Sequence, residues 1–108
     1  MLKLIPEPRF THEVQVKAAA GGEPAQTVRA VYRGLHDDEA KTFDLNTAEG
    51  EKTFVRAVLV EVHDVRDEAG EELPSSPELI EQMLGWGYIR YALVDGYFAA
   101  QIKARVGN

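Results

Sequence analysis

The chain of 108 residues lacks cysteine and contains a single tryptophan. Disulfides, thiolate zinc sites and cysteine nucleophiles are therefore excluded. No stretch approaches the ~20 consecutive apolar residues that a membrane-spanning helix needs. The apolar start Met1–Ile5 stops at Pro6, so we expect no export signal and a location in the cytosol. Basic residues are outnumbered, 12 against 18 acidic, and a net charge of −6 disfavours binding to nucleic acid or anionic membranes.

Motifs for catalysis and metal binding are also missing. The histidines lie on separate segments without a metal-ligand spacing such as HxxxH: His12, His36 and His63. The acidic segment 64–72 departs from an EF-hand loop, because Gly70 is seventh rather than sixth and Ser75 is twelfth. No glycine-rich phosphate loop or GxSxG elbow occurs. We expect no catalytic, cofactor-binding or metal-binding residues and no enzyme, although the sequence leaves a histidine–carboxylate pair open.

Two segments near the beginning alternate between apolar and polar residues. In Phe10–Lys17 the inward set is Phe10, His12, Val14 and Val16, and in Thr27–Arg33 it is Val28, Ala30 and Tyr32. Alternation at period two indicates strands with one buried face. Between them, Ala20–Pro24 contains two glycines and a proline, which favour a turn. We expect an antiparallel hairpin with a flexible loop.

The rest of the chain has helical signals. A short helix is predicted at 36–43, and a longer one is capped by Asn46 or Thr47. Apolar residues recur along the longer helix at three- and four-residue spacing: Phe54, Val55, Val58, Leu59 and Val62. A buried strand at 55–65 remains an alternative, because this stretch is rich in valine. An acidic turn around Gly70 leads to a helix that Ser76 caps, and we expect Gly85 to end it in left-handed geometry.

The last predicted helix, 88–105, carries two apolar stripes. One consists of Ile89, Leu93, Tyr97 and Ala100, flanked by Ala92 and Gly96; the other consists of Tyr91, Val94, Phe98 and Ile102. A helix that serves one core needs one stripe. The second stripe therefore indicates either a central position in the fold or a surface for a partner. We favour the partner interpretation, and take Tyr91, Val94, Phe98, Ile102 and Trp86 as the candidate partner-binding residues.

These elements predict one α+β domain, 1–108. Its antiparallel β-hairpin or small sheet, with the strand pair at about 9–33, packs against three to four C-terminal helices at about 36–106. The order of its motifs resembles the small tail assembly chaperones of long-tailed bacteriophages and prophages. Three strings carry the resemblance: Phe54-x-x-x-Val58-Leu59-Val60, then Asp64-Val65-x-Asp67-Glu68-x-Gly70-x-x-Leu73-Pro74-x-Ser76-x-Glu78-x-Ile80, then Tyr88-Ile89-Arg90-x-Ala92-Leu93-Val94-x-x-Tyr97.

The sequence departs from that family at three places. Glu61–His63 stands where many relatives have tryptophan, and Ser75 stands where the family's Leu-Pro-Phe-Ser string has its aromatic residue. Gly96 stands where the closing helix of the family has alanine. These departures concern the local packing of the turn and the last helix.

The resemblance implies a non-enzymatic role. Such chaperones keep the tape measure protein soluble, recruit the major tail (tube) protein in the host cytoplasm, and are absent from the mature virion. A homo-oligomer is compatible with this role. Two alternatives are an acidic inhibitor that mimics DNA, suggested by the carboxylates of 64–72 and 37–39, and a structural tail or connector component.

Overall fold

A computed structural model describes residues 1–17 and 25–105, with side chains through residue 102 of the last helix. The predicted loop Ala20–Pro24 lies outside the described residues. The elements follow in the order β1 (Arg9–Val16), β2 (Gln26–Arg33), α1 (Asp37–Ala40), α2 (Ala48–Val58), β3 (Leu59–His63), α3 (Pro77–Leu84) and α4 (Gly87–Arg105). The α+β class and the antiparallel pairing of the first two strands are confirmed.

The strands form an antiparallel sheet in the order β1-β2-β3. Phe10 lies opposite Tyr32 and Val14 opposite Val28. The alternation in β1 and β2 places Val14, Val28 and Tyr32 in the core, while Thr11 on the other face is exposed. The inner face of the sheet is thus apolar and the outer face polar, as the period-two pattern predicts.

The third strand corrects the predicted extent of the longer helix. α2 ends at Val58, and Leu59 and Val62, which were placed on its apolar stripe, belong to β3. β3 pairs with β2, with Arg29 opposite His63 and a register shift between Val31 and Tyr32. Valine-rich segments suit both a buried helix and a strand. Here the segment forms a strand, because β2 has backbone donors and acceptors that β1 does not use. The strand pair is therefore part of a three-stranded sheet, and β3 interrupts the predicted helical part.

The helix starts follow the predicted caps. The Thr47 hydroxyl accepts a hydrogen bond from the Gly50 amide at 2.9 Å, and the Ser76 hydroxyl accepts one from the Leu79 amide at 3.0 Å. Gly85 departs from the prediction, because its φ of −68° and ψ of −16° are right-handed. Only Gly85 and Trp86 separate α3 from α4, and Gly85 keeps right-handed geometry in this short link.

The helices cover the inner face of the sheet and enclose one core among the described residues. Tyr97 of α4 lies at its centre. Its ring packs edge-on against Tyr32 at 5.6 Å and against Phe54 at 5.3 Å, both measured between centroids. Aromatic side chains thereby connect the sheet, α2 and α4 through their buried surfaces.

A buried ion pair joins α2 to α4. Arg90 is 7% exposed, and its Nε donates to a carboxylate oxygen of Glu51 at 2.9 Å. Its Nη1 donates to the Leu84 carbonyl at the end of α3, at 3.0 Å. Arg90 thus has a carboxylate and a carbonyl as partners inside the domain. Since its buried charge is paired and hydrogen-bonded, it fixes how three helices meet.

α4 approaches the sheet closely at Gly96. A Cβ atom at this position would lie 2.7 Å from Cγ2 of Val14 and 2.8 Å from the hydroxyl oxygen of Tyr32. Val14 is 2% exposed, and the Tyr32 hydroxyl donates to the Leu93 carbonyl at 2.8 Å. Neither neighbour is free to retreat, so glycine is required for this contact.

We expect Gly96→Ala to lower the free energy of unfolding by about 1–3 kcal/mol, because the added methyl group overpacks the helix–sheet contact. The matched control is Gly85→Ala, whose Cβ would lie 3.5 Å from the Gln82 carbonyl oxygen, an ordinary contact. Urea denaturation of both variants is the measurement. Equal stability of Gly96→Ala and the parent chain would contradict the close approach.

Stability should also fall in acid. Hydrogen bonding to Arg56 lowers the pKa of Glu81, and hydrogen bonding to Arg33 lowers the pKa of Glu39. A lowered pKa in the folded state stabilises the fold above the unfolded pKa, about 4.3 for glutamate, and this contribution is lost as pH falls further. We expect Glu81→Gln to make urea denaturation less pH-dependent between neutrality and acid. The control is Glu68→Gln in the exposed turn, and an unchanged pH profile of Glu81→Gln would contradict the prediction.

Candidate protein-binding surface

The position of α4 determines which of its faces reaches solvent. Besides the contact at Gly96, the Tyr97 hydroxyl accepts a hydrogen bond from the Leu35 amide at 3.1 Å. The first predicted stripe faces inward, with Leu93 fully buried and Tyr97 5% exposed. The rotation of the helix is therefore set by buried contacts on one side.

The second predicted stripe divides between core and solvent. Tyr91, Phe98 and Ile102 are 54%, 42% and 60% exposed, whereas Val94 is 7% exposed and belongs to the core. At 100° per residue, Val94 lies about 60° from Tyr91 on the helical wheel, toward the buried side. We call the exposed set, Tyr91, Phe98 and Ile102, the α4 stripe. The predicted role of Val94 in partner binding does not fit its burial.

Phe98 has a structural role as well as an exposed edge. Its ring stacks on Phe54 with an interplanar angle of 6° and a centroid distance of 5.6 Å. Phe54 is only 2% exposed, so Phe98 covers a core residue. Tyr91 and Ile102 are therefore the better reporters of a binding role, because less of each side chain is in the core.

Trp86 and Tyr91 extend the exposed apolar surface around the start of α4. Trp86 is 63% exposed, and its carbonyl accepts hydrogen bonds from the amides of Ile89 and Arg90. The ring of Tyr91 lies back over Gly87 and beside the Arg90 guanidinium, whose carbon is 5.3 Å from the ring centroid. Large aromatic residues on the surface are typical of protein contacts.

A groove of about 410 Å³ runs between β1 and α4 beside the stripe. His12, Val14 and Gln15 contribute to its strand wall, and Tyr91 and Ala99 to its helix wall. Sequence reasoning missed this groove, because strand and helix are far apart in the chain. One sequence signal that could have located it is the set of small residues at helical spacing on α4, Ala92, Gly96 and Ala99.

His36 and His63 each contact a polar group close to them in the sequence. His63 lies 3.0 Å from the Glu61 carboxylate, but both side chains are at least one-third exposed. His36 Nδ1 accepts a hydrogen bond from the Asp38 amide at the start of α1. The Ser75 hydroxyl accepts a hydrogen bond from the Val62 amide at 3.0 Å and so binds the edge of β3. The histidine–carboxylate pair left open by the sequence thus exists, and both side chains line an open groove of about 440 Å³ together with Ser75 and Ser76.

The acidic turn is held by its own carboxylate. Oδ1 of Asp67 accepts hydrogen bonds from the amides of Ala69 and Glu71, at 2.9 and 3.0 Å. Gly70 has a φ of +86°, which the predicted turn requires. No cluster of three or more histidine, aspartate or glutamate side chains is placed to hold a metal ion in the ranges described. Asp67 therefore organises a turn through its backbone contacts.

No helix among the described residues is long and apolar enough to cross a membrane. No protein-family model, curated protein or solved structure matches this chain. The fold and its surface thus describe a small α+β domain whose last helix presents apolar side chains to solvent.

Two substitutions distinguish the structural and exposed members of the stripe. We expect Phe98→Asp to lower the free energy of unfolding by about 2 kcal/mol, because it removes a stacked ring and brings a charge near Phe54. Tyr91→Glu should change it by less than about 0.5 kcal/mol, since Tyr91 is mostly exposed. Thermal and urea denaturation measure both. Equal destabilisation by the two substitutions would contradict this division.

Proposed function

We propose that this chain is a non-enzymatic tail assembly chaperone of a long-tailed phage or prophage. In this role it binds the tape measure protein and the major tail tube protein in the host cytoplasm and is absent from the mature virion. The observation that carries the proposal is the α4 stripe: three large apolar side chains on one helix face, exposed by 42–60%. The resemblance of the motif order supplies the identity of the partners.

The spacing of the stripe suits a helical partner. Tyr91 and Phe98 are seven residues apart, so their side chains lie on the same side of α4, two turns from each other. Ile102 continues the line by one further turn. Such a row matches the i, i+7 anchors by which one amphipathic helix packs along another. A tape measure protein, with its long apolar helical faces, has the complementary surface.

The energy available from this surface favours reversible binding. Completing the burial of each half-exposed side chain contributes roughly 1 kcal/mol. Association itself costs about 4–15 kcal/mol in lost freedom of motion. The roughly 3 kcal/mol from the three side chains is below this cost, so binding also requires the apolar surface that the partner buries, and the net affinity stays low. Many weakly bound copies along a long apolar protein can be displaced when tube subunits assemble around it. Weak binding of this kind is what a chaperone requires.

The net charge of −6 supports the same role. Asp95 is exposed on α4 close to the stripe, and further carboxylates lie on the acidic turn. Copies bound along an apolar partner would give it a negatively charged outer surface. Like charges on that surface would keep one complex from aggregating with another.

The test is co-expression with the tape measure protein encoded by the neighbouring gene. We expect the parent chain to raise the soluble fraction of that protein. Tyr91→Glu and Ile102→Glu should reduce the effect at least about tenfold, because each places a charge in the apolar contact. Pull-down of the complex provides a second measurement.

The matched control is Gln82→Glu, which adds the same charge at an exposed position of α3 away from the stripe. It should behave as the parent chain does. Unchanged solubility of the tape measure protein with the parent chain would refute the proposed function. Full activity of both stripe variants would show instead that another surface binds the partner.

A further inference from the structure

The backbone of β1 is open along one side. The amide of Gly34 donates to the Pro8 carbonyl at 2.7 Å, which continues the register in which Arg9 lies opposite Arg33. Hydrogen-bonded and non-hydrogen-bonded pairs alternate in an antiparallel ladder. The even-numbered residues of β1 therefore direct their backbone groups to β2, and Thr11 and Glu13 direct theirs away from the sheet.

The hydrogen bonds at the opposite edge of the sheet agree with this assignment of inward and outward backbone groups. The same alternation, carried through the pairing of Arg29 with His63, turns the Val62 amide outward, where it donates to the Ser75 hydroxyl at 3.0 Å. The segment after the acidic turn thus protects the edge of β3. Among the described residues, no donor or acceptor contacts the outward backbone groups of Thr11 or Glu13. Such an edge is a template for another strand.

We propose that β1 pairs with β1 of a second copy of this chain, antiparallel and about a two-fold axis at Thr11. This register places Arg9 opposite Glu13 of the second copy, and the axis repeats the pair. A register centred on Glu13 would instead oppose two glutamates, which is unfavourable across strands. Self-complementary charge therefore favours a second copy as the occupant of this edge.

Within its own chain, Arg9 lies opposite a residue of the same charge. Its cross-strand neighbour is Arg33, a residue of the same sign, and Arg33 is itself engaged by Glu39 at 2.8 Å. Arg9 makes no ion pair within 4.0 Å in the part of the chain described. Pairing with Glu13 of the second copy gives Arg9 a partner that its own chain does not provide.

The same register fills the groove beside α4. Residues 12–17, which contribute its strand wall, would lie opposite residues 5–10 of the second copy. Pro8 and Phe10 of the second copy would lie opposite Val14 and His12, on the face of the sheet that α4 covers, so their side chains would meet the groove. One contact would thereby cover an open strand edge and part of a groove.

The dimer would also present two α4 stripes together. A two-fold axis between antiparallel strands stands perpendicular to the sheet, so both α4 helices lie on the same face of one continuous sheet. Two weak binding stripes on a single particle raise the effective affinity for a long apolar partner. The dimer itself rests on β1 and does not depend on the proposed function.

The first test replaces a single backbone donor. Thr11→Pro removes the outward amide without removing a hydrogen bond to β2, and proline is tolerated on strand edges. We expect the parent chain to dimerise and Thr11→Pro to weaken the dimer about a hundredfold or more, as measured by sedimentation equilibrium of the purified full chain. Thr11→Val, which retains the amide, is the matched control and should dimerise as the parent does.

The second test determines the register. Arg9→Glu and Glu13→Arg each create like-charge pairs across the axis and should weaken the dimer about tenfold. The double variant restores opposite charges and should recover the parent dimerisation constant. Glu68→Arg, a reversal in the exposed acidic turn, is the control for net charge.

A monomeric parent chain from micromolar to millimolar concentration would overturn the proposal, as would an undiminished dimer of folded Thr11→Pro. Circular dichroism establishes that each variant is folded. Glu13→Pro, which removes the other outward amide, is the second edge variant should Thr11→Pro unfold the chain. Dimerisation is measured without a partner. Failure here is therefore distinct from failure of the co-expression experiment, which reports on the α4 stripe.

Discussion

The contact between α4 and the sheet at Gly96 is the constraint on which the rest of the structure depends. Val14 and the Tyr32 hydroxyl occupy the space that a side chain on α4 would need, so helix and sheet meet with almost no gap. This approach lets the Leu93 carbonyl accept a hydrogen bond from the Tyr32 hydroxyl, and it places the Tyr97 ring against the Tyr32 ring. Because the helix is held there, its opposite face has a defined direction, and the exposed stripe follows from a buried contact.

Buried polar groups also hold α4 in position. Arg90 lies on a helix that is otherwise packed through apolar side chains, and its charge is satisfied by Glu51 and the Leu84 carbonyl. A buried pair of this kind adds little net stability, since both groups lose hydration. Its value lies in geometry: α2, the end of α3 and the start of α4 can meet in one arrangement only if both bonds form. The stripe and Trp86 begin directly beside that junction.

The two edges of the sheet differ in a way that connects structure to assembly. At the edge of β3, the Val62 amide donates a hydrogen bond to the Ser75 hydroxyl. The edge of β1 is open and lies next to both the groove and the exposed start of the chain. The proposed partner binding through α4 and the proposed self-association through β1 would use adjacent surfaces that meet at Tyr91. A small domain with limited apolar area can in this way combine weak contacts into a larger binding surface.

The sequence by itself determined the elements that depend on neighbouring residues. Alternation specified β1 and β2. Capping chemistry specified the start of α3 at Ser76 and narrowed that of α2 to Asn46 or Thr47, since these signals act over a few residues. It also identified the two stripes of α4. Only tertiary structure could decide that Leu59 and Val62 leave the helix for β3, because an unpaired strand offered them hydrogen bonds. The same holds for the burial of Val94 and the exposure of Tyr91, which depend on how α4 is rotated against the sheet.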